Sequence, residues 1–112
     1  MIISMENNQF DSCGSYRQGH IENATFEQLV ASFGEPTFMD RSFDEKVTVE
    51  WHLTFEMENG SYVQATIYDY KTGIDFAENT RWSIGGFDEL ASTCVNSVLY
   101  LDRDFKKLVE GV

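Results

Sequence analysis

The chain is predicted to fold as an α+β domain, a three- or four-stranded antiparallel meander packed against a short N-terminal helix and a longer C-terminal helix. Three observations carry this expectation. Val47, Val49, Trp51, Leu53 and Phe55 alternate strictly with Lys46, Thr48, Glu50, His52, Thr54 and Glu56, the period-two pattern of a half-buried strand. Asn59-Gly60 follows at once as a hairpin signal, and Val63, Ala65 and Ile67 make the apolar set of a returning arm. Finally, Leu90, Ala91, Cys94, Val95, Val98 and Leu101 recur at spacings of three and four, as on the buried stripe of a helix.

The hairpin register follows from which faces must match. A two-residue Asn59-Gly60 loop would set Phe55 against Gln64 and Leu53 against Thr66, apolar against polar on both faces. A three-residue loop of Glu58, Asn59 and Gly60 instead pairs Phe55 with Val63, Leu53 with Ala65 and Trp51 with Ile67. That register needs Gly60 in the left-handed region, as the bulge of a type I turn. It leaves His52, Thr54 and Glu56 beside Gln64, Thr66 and Tyr68 on an exposed polar face.

The remaining elements follow in chain order. Residues 1–15 are polar and irregular, and read as a loose arm or a first edge strand. Residues 16–22 suggest a short strand anchored by Ile21. Thr25 has the marks of a helix N-cap, with Gln28 completing a capping box and Glu27 in the first turn where the dipole favours an anion. Phe26, Leu29, Val30 and Phe33 share a face, and Gly34 followed by Pro36 stops the helix at Phe33. Residues 37–45 read as a loop into the hairpin. Thr72-Gly73 turns the chain after it, and residues 74–79 cross over irregularly. Residues 80–84 alternate again, with Trp82 and Ile84 inward, and Gly85-Gly86 is expected to end that strand. The long helix is predicted over residues 87–101, with Asp88 and Glu89 in its first turn, and Phe105, Leu108 and Val109 suggest a final amphipathic turn or short helix. No repeat or linker interrupts residues 1–112, so a single domain is expected.

Charge bounds the function. Nineteen acids stand against eight bases in 112 residues, a net charge of −11, and the last twelve residues hold three of each sign. The excess therefore lies in residues 1–100, scattered in a way that makes an acidic surface rather than an acidic tail. Direct binding to nucleic acid or to an anionic membrane is disfavoured. Cys13 and Cys94 match no metal or redox spacing, and the N-terminal residues lack the basic and apolar regions of a signal peptide. A cytoplasmic protein with reduced thiols is expected.

No catalytic or metal motif is present, and neither an enzyme activity nor a cofactor is expected. Gly85-Gly86 ahead of a helix resembles an anion nest, but no Lys, Ser or Thr follows in the manner of a P-loop, and Asp88 with Glu89 would repel an anion. His20 near Glu22, and His52 on the same strand face as Glu50, are the only pairs that offer the groups of a general base or metal site, and they lack clustered ligand spacing. Tyr68, Asp69 and Tyr70 end the second arm. Tyrosines beside acids are the composition of protein interfaces and of base-stacking sites.

The pattern EWxLxFExENGxxxxATIYDYK followed by RWSIGG, with TFEQLVASFGEP ahead of it, resembles small accessory proteins encoded by tailed bacteriophages. The likeness spans residues 25–86 and brings no functional residue with it. It implies a context, a small phage protein that binds and disables a host protein in the host cytoplasm. Combined with the charge, it predicts a non-enzymatic inhibitor whose acidic surface engages a basic, nucleic-acid-handling host protein, as anti-CRISPR and anti-restriction DNA mimics do. The expected contact residues are Asp44, Glu45, Glu50, Glu56, Glu58 and Asp69, flanked by Tyr68 and Tyr70. Two other readings compete. One is a small-ligand binder that sequesters a nucleotide signal, with tyrosines stacking the base and Gly85-Gly86 near the phosphate. The other is a minor structural or assembly protein that forms a homodimer through an edge strand.

Overall fold

The computed structural model describes residues 2–39, 47–70 and 75–110, with side chains described as far as residue 100. The loop expected over residues 37–45 and the turn at Thr72-Gly73 lie largely or wholly outside them. The fold is α+β, with one antiparallel sheet and two helices. The strands are β1 (Ile2–Asn7), β2 (Tyr16–Glu22), β3 (Phe38–Met39), β4 (Val49–Met57), β5 (Tyr62–Tyr68) and β6 (Arg81–Gly86); the helices are α1 (Phe26–Phe33) and α2 (Leu90–Glu110). The predicted meander β4-β5-β6 forms the centre. The sheet is wider than expected, in the order β1-β4-β5-β6-β2, with the two-residue β3 added to β4 beyond the end of β1. Residues 2–7 are thus an edge strand rather than a loose arm.

The hairpin register is the three-residue one. Phe55 pairs with Val63, Leu53 with Ala65 and Trp51 with Ile67, and Gly60 holds φ 87°. The Met57 N–H donates to Ser61 O at 2.8 Å, closing the loop. Because side chains alternate along a strand, this register sends Trp51, Leu53, Phe55 and Ile67 to one face together, where Trp82 and Ile84 of β6 join them. The helices cover that face with Leu29, Phe33, Ala91, Cys94, Val95 and Leu99. Each large side chain fully buried there contributes on the order of 1.5–3 kcal/mol.

Two tryptophans hold α1 in place. Trp51 and Trp82 meet edge to face at 5.7 Å, and a buried indole N–H needs an acceptor. Trp82 Nε1 donates to Ala24 O, just before α1, and Trp51 Nε1 donates to Gly34 O, just after it, each at 2.8 Å. The helix also carries the predicted capping box, with Thr25 and Gln28 bonded reciprocally.

Two boundaries depart from expectation. Gly85 and Gly86 end the strand as its last two paired residues rather than as a turn beyond it, lying between Thr66 and Ala65 of β5 and Arg17 and Tyr16 of β2. A Cβ on Gly86 would overlap that of Ala91, so the glycine lets α2 lie directly on the sheet. The helix accordingly begins three residues later than predicted, where the Asp88 carboxylate accepts from the Leu90 N–H at 2.9 Å. It then runs unbroken to Glu110, taking in the final turn or short helix expected there.

Candidate functional site

β1 and β2 are joined by only eight residues yet occupy opposite edges of the sheet, so residues 8–15 must cross it. They cross on the face away from the helices. Phe10 in this strap packs on His52 of β4 at 4.6 Å between ring centroids and reaches Phe87 beyond β6 at 6.5 Å. The polar face of the hairpin is therefore only partly open, and His52, expected to be exposed, is 3% exposed.

Both ring nitrogens of His52 are engaged. The Phe10 N–H donates to Nδ1 at 3.2 Å, which places the imidazole proton on Nε2, where it is donated to Glu50 Oε2 at 2.8 Å. The only lone pair of the neutral ring is thus already used. A general base or metal ligand needs that lone pair, so the His52–Glu50 pair has a structural task here. Phe38 packs against the same ring at 4.9 Å, nearly edge-on. The main-chain N–H of His52 donates to Thr37 Oγ1 at 2.8 Å, and the Thr37 hydroxyl in turn donates to Asn7 Oδ1. Asn7 also donates to Phe33 O and Glu35 O, so this corner joins β1, β3, β4 and the end of α1.

The expected contact residues are divided. Asp44 and Glu45 lie outside the described residues. Asp69 is not on the surface as expected: it is 2% exposed, and its carboxylate accepts from the N–H groups of Thr48 and Val49 and from the Thr48 hydroxyl. It ties the start of β4 to the end of β5 and has no free edge to offer a partner. Glu50 and Tyr68 are cross-strand partners, and Tyr68 and Tyr70 meet nearly perpendicular at 6.4 Å. Tyr68 is half-buried beside Gly85, where an added Cβ would approach its ring to 3.3 Å. Burial raises the Tyr68 phenol pKa; Arg17 opposes this shift, while Glu50 and Tyr70 add to it. Glu56 accepts from Ser4 Oγ at 3.1 Å, and Glu58 stands exposed in the turn. Six residues of strand, roughly 20 Å, separate this pair from Glu50.

Of the eight Lys and Arg in the chain, only Arg17 and Arg81 fall where side chains are described. Arg81 Nε stands 3.5 Å from Glu22 Oε1, in a pair exposed on both sides. Among the described residues it is the one contact of a carboxylate with a basic side chain other than histidine. Glu6, Asp11, Glu27, Glu35, Glu58, Glu78 and Glu89 are exposed.

Sequence reasoning missed Phe10, Asp11 and Phe38. No local pattern marks them, because their meeting with His52 depends on β1 and β2 taking opposite edges. The proposed phosphate site at Gly85-Gly86 is absent as a turn, since both residues are inside the ladder. Burial raises the Cys94 thiol pKa, whereas Cys13 is exposed. Among the described residues no helix is long and apolar enough to cross a membrane, and no three His, Cys, Asp or Glu are grouped to hold a metal.

No family model matches the chain, and comparison with curated proteins and with solved structures found no match.

Proposed function

We propose that the protein is a non-enzymatic binding module that docks through its acidic surface onto a basic, nucleic-acid-handling protein. In this role it is an accessory inhibitor of the phage type, acting in the host cytoplasm. The observation that carries the reading is the excess of nineteen acids over eight bases, with little internal neutralisation among the described residues. The described carboxylates face solvent or accept from backbone N–H groups, from the Ser4 and Thr48 hydroxyls or, for Glu50, from His52, and among the described residues Arg81 with Glu22 is their one pairing with an arginine. Such a surface creates a negative field that accelerates encounter with a cationic partner and repels anionic ones. The engagement of both His52 nitrogens and of the Asp69 carboxylate supports binding over catalysis, since it leaves neither group free to move a proton.

Affinity capture from a bacterial host lysate tests this. Screening lengths fall from about 10 Å at 0.1 M salt to about 3 Å at 1 M, so a partner held by this field should be captured at the lower salt and released at the higher. The expected partner is basic and binds nucleic acid. Capture of neutral or acidic proteins alone, or retention indifferent to salt, would overturn the reading.

A further inference from the structure

An open groove beside His52 is lined by Phe10 and Asp11 of the strap together with Phe38 and Glu50. We infer that this groove is a receptacle for an arginine side chain of the docking partner. The inference rests on the acidic-docking reading for the partner's identity, but the site is argued from its own chemistry.

Two features select the occupant. First, the groove's charged side chains are both carboxylates, and each is fixed by an internal hydrogen bond. Glu50 Oε2 accepts from His52 Nε2, and Asp11 Oδ1 accepts from the Cys13 N–H at 2.9 Å. In both residues the second oxygen has no described hydrogen-bond partner. The carboxylates are thus oriented in advance, and the ordering cost of binding is reduced. Second, Phe10 and Phe38 flank His52 from two sides, and Phe38 is 39% exposed. Aromatic faces next to carboxylates suit a planar, weakly hydrated guanidinium, which can stack and donate in a fork at once. An ammonium is more strongly hydrated and presents no plane. Among the described lining residues none is Lys or Arg, and only the His52 Nε2–H, on one Glu50 oxygen, occupies a carboxylate from a lining side chain.

N-acetyl-arginine amide, N-acetyl-lysine amide and N-acetyl-citrulline amide are titrated into the full chain and followed by backbone amide NMR. Arginine amide should shift Phe10, Asp11, Phe38 and His52 together, lysine amide more weakly, and citrulline amide not at all. The double variant Asp11→Asn, Glu50→Gln keeps an acceptor for Cys13 and for His52 while removing both charges. It should bind arginine amide about tenfold more weakly, as the loss of a charge-assisted hydrogen bond implies. Phe38→Leu should narrow the preference for arginine over lysine. Equal binding of citrulline, shifts spread over the acidic surface without preference for the groove, or unchanged binding by the double variant would each overturn the inference. If arginine amide ignores the groove while salt-sensitive capture persists, the receptacle falls and the docking reading stands. If arginine amide binds the groove and no basic protein is captured, the receptacle stands and the docking reading falls.

Discussion

The backbone N–H of Phe10 donates to Nδ1 of His52 across 3.2 Å, joining the strap to the central hairpin. Among the described residues it is the strap's one hydrogen bond to the sheet, the others within residues 8–15 being internal. His52→Leu removes the acceptor and leaves a part-buried donor, which should cost about 1–2 kcal/mol. The Phe10 amide should then exchange with solvent markedly faster, while the core of β5 is unaffected. In the parent, imidazole nitrogen shifts should report the proton on Nε2. A ring protonated on Nδ1 would contradict the arrangement.

Gly60 and Asn59 separate backbone from side-chain effects in the turn. A Cβ on Gly60 would meet nothing within 4 Å, so any penalty at that position comes from φ 87° alone. Gly60→Val should therefore destabilise by about 1–2 kcal/mol or more. Asn59 accepts from the Ser61 N–H and hydroxyl through Oδ1, and Asn59→Ser retains an oxygen there at a smaller cost. Thermal melts should rank Gly60→Val below Asn59→Ser. Equal melting temperatures would sink the three-residue loop.

Gly86→Ala should be more damaging than its size suggests. The added methyl would overlap Ala91 Cβ and lie 3.1 Å from Gln64 O, forcing α2 off the sheet at a cost of roughly 1–3 kcal/mol. The smaller pair at position 91 gives the check, since Gly86→Ala combined with Ala91→Gly should recover part of the loss. No recovery would mean that Gly86 is required for another reason.

Asp69→Ala should cost on the order of 3 kcal/mol, because it strands the N–H groups of Thr48 and Val49 at a buried corner. Glu58→Ala, in the exposed turn, should change stability by less than about 0.5 kcal/mol. Denaturant melts of the two variants should differ accordingly, and similar midpoints would contradict the structural role of Asp69.

Much of this fold was legible because its centre is built from local patterns. The β4 alternation fixed the faces, the match of apolar pairs chose the loop, and the Thr25 capping box with Gly34 bounded α1 to the residue. The edges were legible in part: residues 16–22 read as a short strand anchored by Ile21, and they form β2 with Ile21 its one buried residue, whereas β1 carries a bulge between Ile2 and Ser4 and shows no clean alternation. His52 reads as exposed from its strand position, and the strap buries it through a contact that is set by topology and leaves no mark in local sequence. Asp69 is expected on the exposed flank, yet it continues the inward set of Val63, Ala65 and Ile67 and is held by Thr48 and Val49 at the base of the same hairpin, so its parity already points inward.

Charge reversal of acids that have no structural duty separates acidic docking from any other mode of binding. Glu6 and Glu58 are exposed, and Glu56 meets only Ser4 Oγ, whereas Glu50 and Asp69 hold the fold and are left alone. The triple variant Glu6→Lys, Glu56→Lys, Glu58→Lys should keep the parent's circular dichroism, and its affinity for the captured basic partner is measured at about 0.1 M salt, where the Debye length is about 10 Å. Binding should weaken by at least about tenfold, chiefly through slower association, as electrostatic steering requires. Parent-like affinity and association rate in the folded variant would contradict acidic docking.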